Sequence, residues 1–195
     1  MLDTLASLLE DQIKDLYSAE NQLLKALPRM VKKSSSDTLQ RAFESHLQET
    51  KVQVERLEQI CSMLEIKPGG KKCKAMEGLL EEGKEVLEED GSADVIDAAL
   101  IAAAQRVEHY EISAYGSART FAETLGHTDI VALLQQTLDE EKAADEKLSG
   151  ICTDEVLPAT IQEVGKSEKS SGDDDAQPKG AGKSGAGRTE SKSAR

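Results

Sequence analysis

The chain has 195 residues, a net charge of −13 and 31% charged residues, enough for one ordinary domain with an appendage. Its acidity disfavours nucleic acid and anionic lipid as partners. No window approaches the roughly 18 uninterrupted apolar residues of a membrane-spanning helix.

Taken in order, the N-terminal MLDTLASLLEDQIKD lacks the basic-then-apolar order of a signal peptide. Cys61, Cys73 and Cys152 are widely spaced, with no CxxC pair, which suits a reducing compartment. The expected location is therefore cytoplasmic. A first long helix is predicted over about 4–32, with Leu9, Ile13, Leu16, Glu20, Leu23 and Leu27 on one face and Pro28 in position to kink its last turn. Ser34–Asp37 (SSSD) supplies the next N-cap, opening a second helix over about 38–64. KPGGKK breaks the chain at Pro68, Gly69 and Gly70, and a short acidic helix over about 75–89 ends at Asp90–Gly91. The third long helix spans about 93–125 and stops at Gly126; the fourth runs over about 129–152. Short links join helices one and two, and three and four, so each pair is an antiparallel hairpin. The link between the hairpins is long enough to cross the bundle. The fold class is all-α, a ferritin-like four-helix bundle with one long crossover carrying a short helix.

Residues 1–160 are expected to form this bundle and 161–195 a disordered polar tail, because the tail has almost no large apolar side chains to bury. From Lys166 onward there are seven basic and five acidic residues, so the rest of the chain nets −15. QPKGAGKS in the tail echoes a phosphate-binding loop. Gln177 stands where the first glycine is required and no strand precedes it, so a solvated tail is the reading kept.

The inner faces carry the chemistry. Glu20 interrupts the apolar stripe of the first long helix. The second runs Leu39, Phe43, His46, Glu49, Val52, Ile60. The third runs Leu100, Ala104, Val107, Glu108, Glu111, Ala114, Tyr115, Ala118, Phe121. The fourth runs Val131, Leu134, Leu138, Glu141, Asp145, Leu148. Each helix thus places acidic groups near mid-bundle, where unpaired charge is costly to bury. Gathered like charges need something positive among them, and few basic residues fall on these stripes. A pair of divalent metal ions answers the need. The candidate ligands are Glu20, His46, Glu49, Glu108, Glu111, Glu141 and Asp145. So oxygen-rich a set suits iron, or manganese, better than zinc or copper. Tyr17 and Tyr110 lie within a turn of these residues, as helix-packing groups or as hydrogen-bond donors to the carboxylates. His109 points away from Glu108, and His127 has no assigned role.

LYSAENQLLKALP around Glu20, HLQET at 46–50, KCKAMEGLLEE in the crossover, DAALIAAAQRVEHYEISAYG and TLDEEKAADEKL span residues 3–150. On these motifs the chain resembles the YciE/YciF-like family of ferritin-like, rubrerythrin-related bundles. The resemblance implies a bacterial stress-associated protein with a dinuclear metal site, acting as a homodimer. The chain departs from the Glu-x-x-His pattern of ferritin-like proteins. Val52 and Ala144 stand where the histidines would be, with His46 and Asp145 as substitutes.

The leading functional expectation is a dinuclear non-haem iron (or manganese) protein that handles peroxide or oxygen, oxidises ferrous iron, or both. With no rubredoxin-like CxxC pair, a complete peroxidase cycle within one chain is disfavoured. The alternative is a structural or interaction bundle whose metal only stabilises the fold. DNA coating of the Dps kind would set a weakly basic tail against a bundle at −15.

Overall fold

The computed structural model describes residues 2–161, and every regular element among them is helical. These are α1 (Leu5–Lys33), α2 (Asp37–Met63), α3 (Lys74–Glu88), α4 (Ala93–Thr124) and α5 (Thr128–Ile151), followed by a π-helical turn at Cys152–Val156. The predicted helices are all present, with ends displaced by a residue or two. The expected polar tail, apart from Ile161, lies outside the described residues.

Local chemistry sets most boundaries. Thr4 and Ser7 close a capping box on α1, and Ser36 accepts from the Leu39 amide to start α2. Pro28 does not end α1, which continues to Lys33 with Leu27 and Met30 buried on either side of it. Helix α4 ends in a Schellman turn: Gly126 adopts φ +78°, and the His127 amide reaches back to the Ala122 carbonyl. Helix α2 ends the same way, with the Ile66 amide on the Cys61 carbonyl, but the left-handed position is Glu65, φ +56°. The chain therefore leaves the second helix before the Pro68–Gly70 break that the sequence advertises.

Two hairpins, α1–α2 and α4–α5, pack so that α1 also faces α4 and α2 also faces α5, while α3 lies against α1 and α4. The crossover is pinned where it meets them. Lys71 pairs with Asp11 and Asp15, Tyr110 donates to Asp15 at 2.7 Å, and the Cys73 thiol lies 3.0 Å from the Tyr110 hydroxyl. The Cys73 amide donates to Ser18 Oγ.

The apolar core is split. One cluster holds Leu23, Leu27, Leu39, Phe43, Met76 and Leu100; the other holds Leu9, Ile13, Leu57, Ile60, Ala118 and Leu134. Between Leu23 and Leu16 on α1 sits Glu20, and the other helices place polar side chains at the same level. The bundle is an apolar body divided by a buried polar layer.

Candidate metal centre

The four long helices build this layer through heptad positions. On α2 the buried positions run Leu39, Phe43, His46, Thr50, Gln53, Leu57, Ile60, and on α5 Leu134, Thr137, Glu141, Leu148, Ile151. Helix α1 contributes Glu20; α4 contributes Glu108, Glu111 and Tyr115. Glu20, Glu111, Gln53 and Glu141 are fully buried, with His46 and Glu108 nearly so.

His46, Glu108, Glu111 and Glu141 bring one ligand atom each within 4.8 Å of one another. His46 Nε2 lies 3.5 Å from Glu108 and 4.0 Å from Glu141, and its Nδ1 lies 3.6 Å from Glu49. These separations exceed hydrogen-bond length. Among the described residues, both His46 nitrogens, both Glu111 oxygens and one oxygen each of Glu20, Glu108 and Glu141 are buried without a hydrogen-bond partner. Glu20 and Glu141 each have one oxygen held. Tyr115 donates to Glu20 at 2.5 Å and Gln53 to Glu141 at 2.6 Å. Gln53 also donates to Glu140, which Arg56 grips with both terminal nitrogens, while Arg56 reaches Thr137 as well. The layer thus has oriented carboxylates with vacant lone pairs.

The electrostatics follow. Burial, then the Glu141 charge, pushes the Glu20 carboxyl up to about 8 against the Tyr115 hydrogen bond. Burial also raises Glu111, reinforced by Glu20, Glu141 and Glu108. Glu108 and Glu141 are raised by burial too, with His46 opposing. Burial alone would lower His46, but Glu108, the Glu49 carboxylate and Glu141 outweigh it and hold the imidazole at about 10. One cation cannot neutralise four carboxylates. The orphaned oxygens and the oxygen-rich donor set fit iron or manganese.

The seven residues singled out from the sequence divide into three groups. His46, Glu108, Glu111 and Glu141 come together, and Glu20 adjoins them in the layer. Glu49 is 43% exposed at its side chain, beside His46 and bonded to Ser45. Asp145 is turned to the outer seam, accepting from Gln105 at 3.0 Å and lying 3.3 Å from the exposed His109. The sequence reading of α2 carried the inner face from His46 to Glu49 and Val52. Val52 is instead 51% exposed, and the face continues through Thr50 and Gln53. Tyr17 and Tyr110 keep the helix-packing role, and neither bonds a candidate ligand. Tyr17 bonds Glu58 and Tyr110 bonds Asp15, whereas Tyr115 serves the layer. Gln53, Arg56 and Thr137 gave no charge-on-apolar signal; only an unbroken heptad from Leu39 to Ile60 marks Gln53 as inward.

Residues 4–160 match the family described as "Domain of unknown function (DUF892)", and the chain belongs to that family. It is 48% identical over 145 residues to protein YciF of Escherichia coli strain K12, covering 74% of this chain and 87% of that one. The crystal structure of the E. coli stress protein YciF superposes with a TM-score of 0.75 at 46% identity, covering 77% of this chain and 95% of that one. YcfI of Rhodopseudomonas palustris, whose description proposes a structural role, gives 0.74 at 45%, covering 76% and 94%. A Xanthomonas campestris protein at 16% identity shares the fold, with a TM-score of 0.64 over 85% of this chain and 99% of that one. The YciF-like resemblance and the helical-bundle class both hold. No helix of the described residues is long and apolar enough to cross a membrane.

Proposed function

We propose that this chain is a cytoplasmic, dinuclear non-haem iron (or manganese) protein of the stress response that consumes peroxide, oxidises ferrous iron, or both. The observation that carries the reading is the set of buried donor atoms on Glu20, His46, Glu108, Glu111 and Glu141 without hydrogen-bond partners. Burying such atoms is costly unless a cation replaces the lost hydration. The stress assignment follows from the similarity to E. coli YciF, described as a stress protein.

Two ferrous ions held by these residues would supply the two electrons that, with two protons, reduce peroxide to water. The chain's own residues do the rest. Tyr115 fixes Glu20 and Gln53 fixes Glu141, so neither carboxylate swings freely. Arg56 anchors Glu140 and so steadies Gln53 from behind. Helix α3 packs over α1 and α4, and Glu20 and Glu111 are fully shielded from solvent. Before metal arrives, His46 holds a proton that offsets part of the carboxylate charge. In this reading Glu20, His46, Glu108, Glu111 and Glu141 are the ligands, Glu49 stands beside them, and Asp145 is a surface group.

The test has two steps. Reconstitution followed by elemental analysis is expected to find about two ions per chain, and absence of stoichiometric metal overturns the site. Stopped-flow mixing of the ferrous protein with hydrogen peroxide is expected to oxidise iron faster than free ferrous ion is oxidised. Oxidation no faster than that, with a large metal-dependent rise in melting temperature, selects the structural reading. Sedimentation velocity reads the pairing of chains into a homodimer that the family resemblance implies.

A further inference from the structure

On α5 the heptad that buries Leu134, Glu141 and Leu148 puts Ala144 at the position between the last two, where a bundle ordinarily packs a large side chain. The missing volume is a cleft of about 170 Å³ between α2 and α5, lined by Phe43 and Ala144 and reaching His46, Glu49 and Glu108. Side-chain exposure falls along it from Glu49 at 43% to His46 at 7% and Glu108 at 3%, and Glu141, beyond the lining and within reach of His46, has none. His46 is the hub, 3.6 Å from Glu49, 3.5 Å from Glu108 and 4.0 Å from Glu141. At the bottom, the His46 nitrogens and Glu108 Oε2 are buried and unpartnered. On the opposite side of the layer, Glu20 and Glu111 have no exposure.

Resting on the metal-centre reading above, we infer that this cleft is the route by which a divalent cation reaches the buried carboxylates. Glu49 receives the ion at the mouth and Ala144 sets the width of the passage. Two other charged groups stand there. Glu140 is held bidentately by Arg56, whereas Glu49 is bonded only to the Ser45 hydroxyl and lies 3.6 Å from His46, so Glu49 is the carboxylate that can turn to a cation. Lys147 lines the same mouth, so an arriving ion passes one ammonium group on its way to Glu49. Glu49 is therefore a transit ligand, and its exposure is what that role requires.

A passage and a ligand leave different thermodynamic signatures. Narrowing a passage slows arrival and departure alike and leaves affinity unchanged, whereas removing a ligand weakens affinity. Cobalt(II) uptake by the full-length protein, followed by its visible absorption in stopped flow and by equilibrium titration, separates the two. Ala144→Leu should slow association and dissociation together, by about tenfold or more, at unaltered affinity. Glu49→Gln should slow association by about tenfold at low salt and leave the absorption spectrum of the loaded protein unchanged. Glu55→Gln, an exposed carboxylate elsewhere on α2, should change neither rate. Wild-type rates in both cleft variants overturn the route while leaving the centre intact. A lost affinity and altered spectrum in Glu49→Gln overturn the transit role and make Glu49 a resident ligand. No cobalt uptake by the wild-type chain overturns the centre and the route together.

Discussion

At the α1–α2 turn, Asp97 of α4 is buried yet fully engaged. The Ser35 amide contacts both of its oxygens, at 2.9 and 3.2 Å, and the Ser36 amide donates to it at 2.8 Å. It also sits at the N-terminus of α2, where the helix dipole favours negative charge. In the mid-bundle layer, Glu111 is equally buried and neither of its oxygens has a partner. The two regions separate a carboxylate used to hold the fold from one that the fold holds at a cost. Burial alone does not mark a site; burial without donors does.

The comparison has its strongest test in pH. In the metal-free protein the folded state keeps the Glu20 proton up to about 8, whereas an unfolded chain releases it near the ordinary carboxylate value. Folding therefore takes up a proton in that window, and stability falls as pH rises through it. His46 adds the same sign above its ordinary value, up to about 10. Urea unfolding is expected to show a loss on the order of 4 kcal/mol between pH 5 and pH 8. A flat or rising profile would mean the layer is not strained by its charges. Metal affinity should run the other way, rising with pH as the carboxylates deprotonate.

Asp97→Ala should cost about 2 kcal/mol, since the part-buried Ser35 and Ser36 amides lose a charged acceptor. The loss should be the same with and without metal; a metal-dependent loss would erase the distinction between the two regions. Glu111→Gln should instead stabilise the metal-free protein at pH 8 by about 1–2 kcal/mol while weakening metal binding. Thermal melts with and without added manganese read both halves of that statement. The smallest effect belongs to Val52→Thr, within about 0.5 kcal/mol, because Val52 faces solvent. A core-sized loss there would restore the helical phase first read from the sequence.

The sequence announced the helices through Ser34–Asp37, Gly126 and the stripes around Leu9–Leu27, because capping and left-handed ends are local chemistry. It announced Glu20, Glu108, Glu111 and Glu141 because a carboxylate on an otherwise apolar stripe is conspicuous. It misdirected at α2, where the inner face itself turns polar at Thr50, Gln53 and Arg56 and a valine lies outside. Hydrophobicity then points the wrong way for the phase of α2, and the structure places Glu49 of α2 at the half-exposed rim and Asp145 of α5 at the outer seam. Asp97 gave no signal, since its partners on the α1–α2 turn lie some sixty positions away in sequence.

The hairpin arrangement also orders events in time. Hairpin α1–α2 carries Glu20 and His46, and hairpin α4–α5 carries Glu108, Glu111 and Glu141. Each hairpin forms from contacts near in sequence, with these side chains still hydrated. Dehydration of the charges falls on the later step, when the hairpins dock across the long crossover. That step should set the folding barrier, and mild acid should speed it by discharging the carboxylates first. If the proposed ions bridge the docked hairpins, the hairpins should separate only after the ions leave, and the loaded protein's lifetime should track ion release.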